Sequence, residues 1–168
     1  ALATYRAERS ARPLSAEDLE DVRVLMKPEL RRRRQRLDWR VDWPAGSTAA
    51  IPGGPVRQAV LNLLLNASAA TPEAGSMGLT VERTAQHLKI FVWDEGPGMP
   101  RDSIAMLSDE DPGPAVRAGR GLGLWMVRRM VDASGGKVTV EARSSGGSVV
   151  MLILPIPEEA QDERSHAA

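Results

Sequence analysis

The sequence predicts an α+β fold, a two-layer sandwich in which about three helices cover one face of a mixed, mostly antiparallel sheet. Three observations carry that prediction. Apolar residues recur at helical spacing in three separated stretches, around residues 15–35, 55–71 and 121–134. Between and after them stand pairs of segments that alternate with period two and are bounded by Gly, Pro or Ser clusters. The aromatic content is only 4 %, so the core between the layers must be aliphatic.

In chain order, residues 1–13 are arginine-rich and read as an entry segment or the end of an upstream helix. Ser15 followed by Glu17 and Asp18 marks a helix start. Leu19, Val22, Leu25, Met26 and Leu30 then form its apolar stripe, to about Gln35. The run Arg31–Arg34 lies at the helix C-terminus, where cations suit the dipole, and reads as a solvated end. Residues 37–43 alternate as a strand stopped by Pro44, and Thr48–Ile51 is a short returning strand. Pro55 is expected at the first helical position of a long apolar helix to Thr71.

Residues 77–84 and 88–94 read as a hairpin turning near Ala85–His87. Asp94–Pro100 is irregular, Arg101–Leu107 is a short helix, and residues 108–118 lack an apolar pattern. Gly121–Ser134 is amphipathic and is stopped by Gly135 and Gly136. Residues 137–143 and 148–154 form the last strand pair, and the polar stretch 156–168 is expected to be disordered.

With 22 basic and 22 acidic residues the formal charge is zero, which argues against a dedicated nucleic-acid binder. The absence of cysteine excludes disulfides and thiolate metal sites and fits a reducing compartment. No apolar run approaches the roughly 20 residues that span a bilayer. The missing initiator methionine at Ala1 reads as the mark of a piece of a longer protein.

Chemistry concentrates at three places. The apolar helix carries two carboxamides, Asn62 and Asn66, four residues apart and on one face. An unpartnered buried amide costs of order 1–3 kcal/mol, so something polar must meet that face. Asp94-Glu-Gly96-Pro-Gly98 puts a carboxylate at a strand end, able to accept from an amine such as a purine's, followed by glycines that admit a ligand. By itself it also describes an ordinary Asp-Gly turn. Gly119-Arg-Gly-Leu-Gly-Leu124 opens a helix, where exposed N–H groups suit phosphates. No apolar strand precedes it, as a dinucleotide fingerprint requires, and no P-loop motif exists in the chain.

In that order the three motifs resemble the N-box and two glycine boxes of the Bergerat-type ATP-binding fold. The superfamily includes sensor histidine kinases, gyrase and mismatch-repair ATPases, heat-shock chaperone ATPases and anti-sigma serine kinases. Gln58-Ala-Val-Leu-Asn62-Leu-Leu-Leu-Asn66-Ala-Ser-Ala-Ala-Thr71 looks most like the N-box of the catalytic domain of bacterial histidine kinases. Gly146-Gly-Ser148 through Pro155 resembles the family's closing strand, with Ser148 where threonine is usual. The resemblance covers about residues 14–155, which it marks as the ATP-binding domain.

The resemblance implies ATP and Mg²⁺ as ligands and a role for each matching residue. Asp94 would take the adenine amino group, supported through water by Ser148. Gly96 and Gly98 would shape the base pocket, and Met99, at the start of the lid, would also contact ATP. Asn66 would offer its oxygen to Mg²⁺, and Asn62 would meet the phosphates or the metal's water shell. Gly119, Gly121, Leu122, Gly123 and Leu124 would present N–H groups to the triphosphate. Residues 99–118 would form a lid, from which Arg117 and Arg120 either touch phosphate or simply face solvent. The lid lacks the phenylalanines frequent in the family, and Ala69 stands where some relatives carry a basic residue.

Gyrase-like ATPases and the serine kinases place a glutamate base four residues before the metal-binding asparagine. Here that position is Asn62, which accepts no proton, so transfer to a histidine imidazole is favoured over hydrolysis. His87 and His166 lack the acidic neighbour of the family's phosphoacceptor motif. The acceptor is therefore expected on dimerisation and phosphoacceptor helices outside this chain, with a response regulator downstream. The same reading implies a cytoplasmic, monomeric domain from a homodimeric parent. The competing readings are an anti-sigma-type serine/threonine kinase and a nucleotide-binding module without catalysis.

Overall fold

A computed structural model describes residues 11–108 and 122–158. Strand β1 (Pro13–Ser15) leads into helix α1 (Ala16–Arg33), followed by β2 (Arg36–Asp42), β3 (Thr48–Pro52) and helix α2 (Gly53–Ala70). Then come β4 (Ser76–Arg83), β5 (His87–Asp94), helix α3 (Arg101–Ser108), helix α4 (Leu122–Ala133), β6 (Lys137–Ala142) and β7 (Ser148–Pro155). Five strands make one mixed sheet in the order β2-β4-β5-β7-β6, and β1 pairs with β3 in a separate two-stranded ribbon. The α+β sandwich predicted from the sequence is thus the observed fold, with four helices among the described residues.

Every pairing in the large sheet is antiparallel except β2–β4, which is parallel. A parallel pair needs a long crossover, and the segment carrying β3 and α2 supplies it. The returning strand therefore does not pair with β2. It takes β1 as its partner instead, with Leu14 opposite Ala49.

The alternation along β5 and β7 aims one row of each strand at the helices. Leu88, Ile90, Val92 and Asp94 are buried on β5, and Ser148, Val150, Leu152 and Leu154 on β7. Against them α2 packs Val56, Val60, Leu63, Leu64 and Ala67, and α4 packs Leu124, Val127, Met130 and Val131. Each Val, Leu, Ile or Met among them contributes about 1.5–3 kcal/mol of burial. The result is a rigid platform with α2 at its centre.

Three local expectations are corrected. Leu25 is exposed, because only Leu19, Val22 and Met26 of the α1 stripe reach full burial. Helix α2 begins at Gly53, not Pro55, so Pro55 is its third residue. Proline is tolerated there because first-turn N–H groups have no intrahelical acceptor, and the Gly53 N–H is taken by the Arg12 carbonyl at 2.8 Å. Helix α1 stops at Arg33, with Arg34 left-handed at φ 54°. That frees Gln35 to turn inward. Its buried amide donates to the Ser68 and Thr71 carbonyls, both at 2.9 Å, and accepts from the Ser68 hydroxyl at 2.6 Å. One side chain from outside the helix thereby satisfies carbonyls of the last turn of α2.

Candidate functional site

Helix α2 carries Asn62 and Asn66 on the flank turned toward α3 and α4, both half-buried. The Asn62 amide donates to the Gly123 carbonyl at 3.3 Å, while its oxygen accepts from Gln58, one turn earlier, at 3.0 Å. The N-box and the start of α4, separated by about sixty residues in sequence, are thus joined directly. Beside this contact lies a cleft of about 530 Å³ lined by Asn62, Leu65, Asn66, Ser103, Met106, Gly123 and Leu124. Gly123 and Leu124, in the first described turn of α4, line this cleft, where the positive end of a helix dipole suits an anion. Leu124 is buried, whereas Leu122 is half exposed.

The second half of the site sits one turn beyond Asn66, at the C-terminal end of α2. Asp94, only 6 % exposed, heads the buried row of β5. Its Oδ1 accepts from the Gly96 N–H at 2.8 Å, closing a tight turn just beyond the strand. Gly96 is pressed against α2, and a Cβ there would stand 2.6 Å from the Ala70 carbonyl oxygen. No other residue type fits without moving the helix end. Gly98 has φ +102° with open space around it, and Met99 packs against the core. Val92 is paired with Val150 and Trp93 with Val149, so continuing the register sets Ser148 opposite Asp94. Ser148 is 3 % exposed.

The structure therefore gathers Asn62, Asn66, Gly123 and Leu124 around the cleft, and Asp94, Gly96 and Ser148 at the sheet end. Arg117, Gly119, Arg120 and Gly121 lie outside the described residues, as does the second half of the expected lid, residues 109–118. Ser103, Gln58 and Arg143 carry no distinctive signal in the sequence. Ser103 is there only one residue of the lid, and Gln58 is part of the N-box without a partner. Arg143 sits at the end of β6 and donates to the Asp94 carbonyl at 2.9 Å. No local pattern signals that contact.

The donor set suits a nucleotide carrying its own metal. Among the described residues the cleft offers amide and hydroxyl oxygens and the backbone of Gly123 and Leu124 but no carboxylate. Among the described residues no three His, Cys, Asp or Glu side chains gather to hold a metal. A hard divalent cation takes oxygen ligands and keeps waters, so Asn66 fits as one protein ligand with phosphate oxygens supplying others.

A family model described as histidine kinase-, DNA gyrase B- and HSP90-like ATPase matches residues 53–158, from the first residue of α2 to just past β7. The chain belongs to this ATPase family. Within the family it resembles the adaptive-response sensory kinase SasA of a Synechococcus strain. The two are 33 % identical over 132 residues, 73 % of this chain and 34 % of SasA. The catalytic domain of histidine kinase ThkA superposes with a TM-score of 0.70 at 26 % identity, over 85 % of this chain and 94 % of that one. ThkA has also been solved with the response regulator TrrA. Full-length ShkA in complex with AMPPNP gives a TM-score of 0.69 at 30 % identity, over 89 % of this chain and 32 % of ShkA. This ATPase domain thus belongs with the catalytic ATP-binding domains of sensor histidine kinases, and spans about a third of the length of SasA.

Proposed function

We propose that this domain binds ATP with Mg²⁺ and transfers the γ-phosphoryl group to a histidine on dimerisation and phosphoacceptor helices of its parent kinase. One observation carries the choice of transfer over hydrolysis. Among the described residues lining the cleft beside Asn66 none is acidic or a histidine, so no described group there can take a proton from an attacking water. An imidazole nitrogen needs no such base. It bonds to the γ-phosphorus as the bond to the β-bridging oxygen breaks, and ADP leaves.

In this reading Asp94 accepts from the adenine amine, and Ser148 supports it through water. Gly96, Gly98 and Met99 bound the base. The N–H groups of Gly119, Gly121, Leu122, Gly123 and Leu124 receive the phosphates, with Asn62 beside them and Arg117 and Arg120 reaching in from the lid. When bound, Mg²⁺ neutralises charge on the phosphates, and Asn66 is its protein ligand. Asn66→Ala is expected to weaken ATP binding in Mg²⁺ about tenfold, the worth of one strong polar contact. Calorimetry in excess EDTA should show almost no difference between the two proteins, and an equal loss under both conditions would contradict the metal role.

The rim of the cleft supports the partner. Leu65, Leu122 and Met126 are 44 %, 50 % and 53 % exposed, from α2 and α4 on either side of it. A helix presenting its histidine to the γ-phosphate must cross that rim, and its apolar face would cover these side chains. Met126→Glu is expected to cut phosphoryl transfer by about tenfold or more through a buried charge, while ATP affinity stays unchanged. A variant that transfers normally would remove this face from the docking surface.

The reaction itself is tested with labelled ATP and the cognate helical domain. Acid-labile label on its histidine is expected. Acid-stable label on a partner serine would instead establish the anti-sigma type of kinase. The response regulator as downstream acceptor, a monomeric domain within a homodimeric parent and a cytoplasmic location belong to the same proposal. No described helix is long and apolar enough to cross a membrane.

A further inference from the structure

We infer that Arg143 is a positioning residue for Asp94, and that it sets how well the site distinguishes adenine from other purines. The inference rests on the reading of Asp94 as acceptor of the adenine amine. Four contacts converge on the short segment Trp93–Gly96. On one side the Ala70 carbonyl abuts Gly96 so closely that a Cβ would stand 2.6 Å away. On the other the Arg143 guanidinium donates through Nη1 to the Asp94 carbonyl at 2.9 Å and to the Gly146 carbonyl at 3.3 Å. Below the turn, the Glu95 carboxylate accepts from the Ser76 N–H at 3.1 Å. Within it, Gly96 donates to the Asp94 carboxylate at 2.8 Å.

That last bond makes the carboxylate's direction depend on the backbone. Oδ1 follows the Gly96 N–H, and the Gly96 N–H follows the tilt of the two peptides before it. Arg143 holds the first of those peptides by its carbonyl. Arg143 is itself fixed in place. Its guanidinium stacks 4.3 Å from the centre of the Trp93 ring, and Trp93 lies across its sheet partner Gly78, where a Cβ would come within 2.2 Å of the indole nitrogen. A cation on an aromatic face, with two carbonyls ahead of it, has little freedom to leave. Among the described residues no ion pair joins Arg143 to the Asp94 carboxylate. It therefore acts on the orientation of the carboxylate through the peptide, leaving both carboxylate oxygens to Gly96 and the ligand.

The test compares ATP with inosine triphosphate, which carries an oxo group where adenine carries its amine, by calorimetry on this chain in Mg²⁺. Arg143→Met removes the donors but keeps an apolar stem on Trp93. It is expected to lower ATP affinity about tenfold, the value of one charge-assisted bond, while inosine triphosphate affinity changes less than about twofold. Arg143→Lys, whose ammonium can reach the same carbonyl, is expected to restore most of the ATP affinity. Arg143→Leu, which likewise has no donor, is read in the same way if the Met variant melts before binding can be measured. Equal loss for both nucleotides would make Arg143 a stability residue and overturn the inference. So would an undiminished preference for ATP in the Met or Leu variant. A native chain that binds both nucleotides equally would overturn the Asp94 reading itself, and this inference with it.

Discussion

Asp94→Asn is expected to nearly abolish ATP binding while leaving the fold intact. The replacement is isosteric, and an asparagine Oδ1 can still accept from the Gly96 N–H, which is 2.8 Å away in the native turn. The opposite arm of the amide then points a donor where the carboxylate had an acceptor, and the adenine amine meets N–H with N–H. Losing a charge-assisted bond and burying an unpaired donor together cost about 3–4 kcal/mol, a factor of about 100 to 1,000 in affinity. The melting temperature should stay within about 2 °C of native, because no core atom is removed. Calorimetry that finds unchanged ATP affinity in this variant would refute the adenine assignment.

That prediction rests on a residue legible from sequence, and the reason is local. Asp94 ends a period-two run and is followed by alternate glycines, so strand, turn and open space are all written within six residues. The layer architecture is legible for a similar reason. Val60, Leu63, Leu64 and Ala67 recur at helical spacing on α2, and Leu88, Ile90 and Val92 alternate on β5. Such patterns show which face meets the core without reference to any partner.

What is not legible depends on contacts between distant segments. Three residues of β1 hold too little pattern to read as a strand, and only the approach of β3 makes them one. Leu25 has the right spacing for burial, but the neighbouring elements cover a narrower stripe than the periodicity describes, and it stays 58 % exposed. Gln35 reads as the end of a helix. Its use emerges only where α2 ends beside it and presents carbonyls that need a donor. Asn62 shows the same limit from the other direction. Its presence opposite a polar partner is foreseeable, because a half-buried amide needs one, yet its bond to the Gly123 carbonyl requires α4 to be placed first.

The turn beneath Asp94 allows a second large effect to be separated into its causes. Gly147→Ala is expected to destabilise the domain by about 3–5 kcal/mol and to lower its melting temperature by about 10 °C or more. Two causes contribute. Gly147 has φ +91°, and a side chain in left-handed backbone costs about 1–2 kcal/mol. The greater cost is steric, since the added Cβ would fall 1.9 Å from the Asp94 carbonyl oxygen and 3.1 Å from the Glu95 Cα. Both obstacles are backbone, so neither can swing aside as a side chain would, and β5 or the β6–β7 turn must shift. Gly46→Ala isolates the conformational cost. Gly46 has φ +72°, and an added methyl group would meet nothing within 4 Å, so this variant should lose only that share. Thermal melts of the two variants then measure the clash by difference. Because the displaced atom is the same carbonyl that Arg143 holds, the Gly147 variant should also lose ATP affinity at temperatures where it remains folded, whereas the Gly46 variant should bind normally. A Gly147 variant as stable as its Gly46 counterpart would mean that the turn does not press on Asp94, and the packing that orients the adenine acceptor would have to be sought on the α2 side alone.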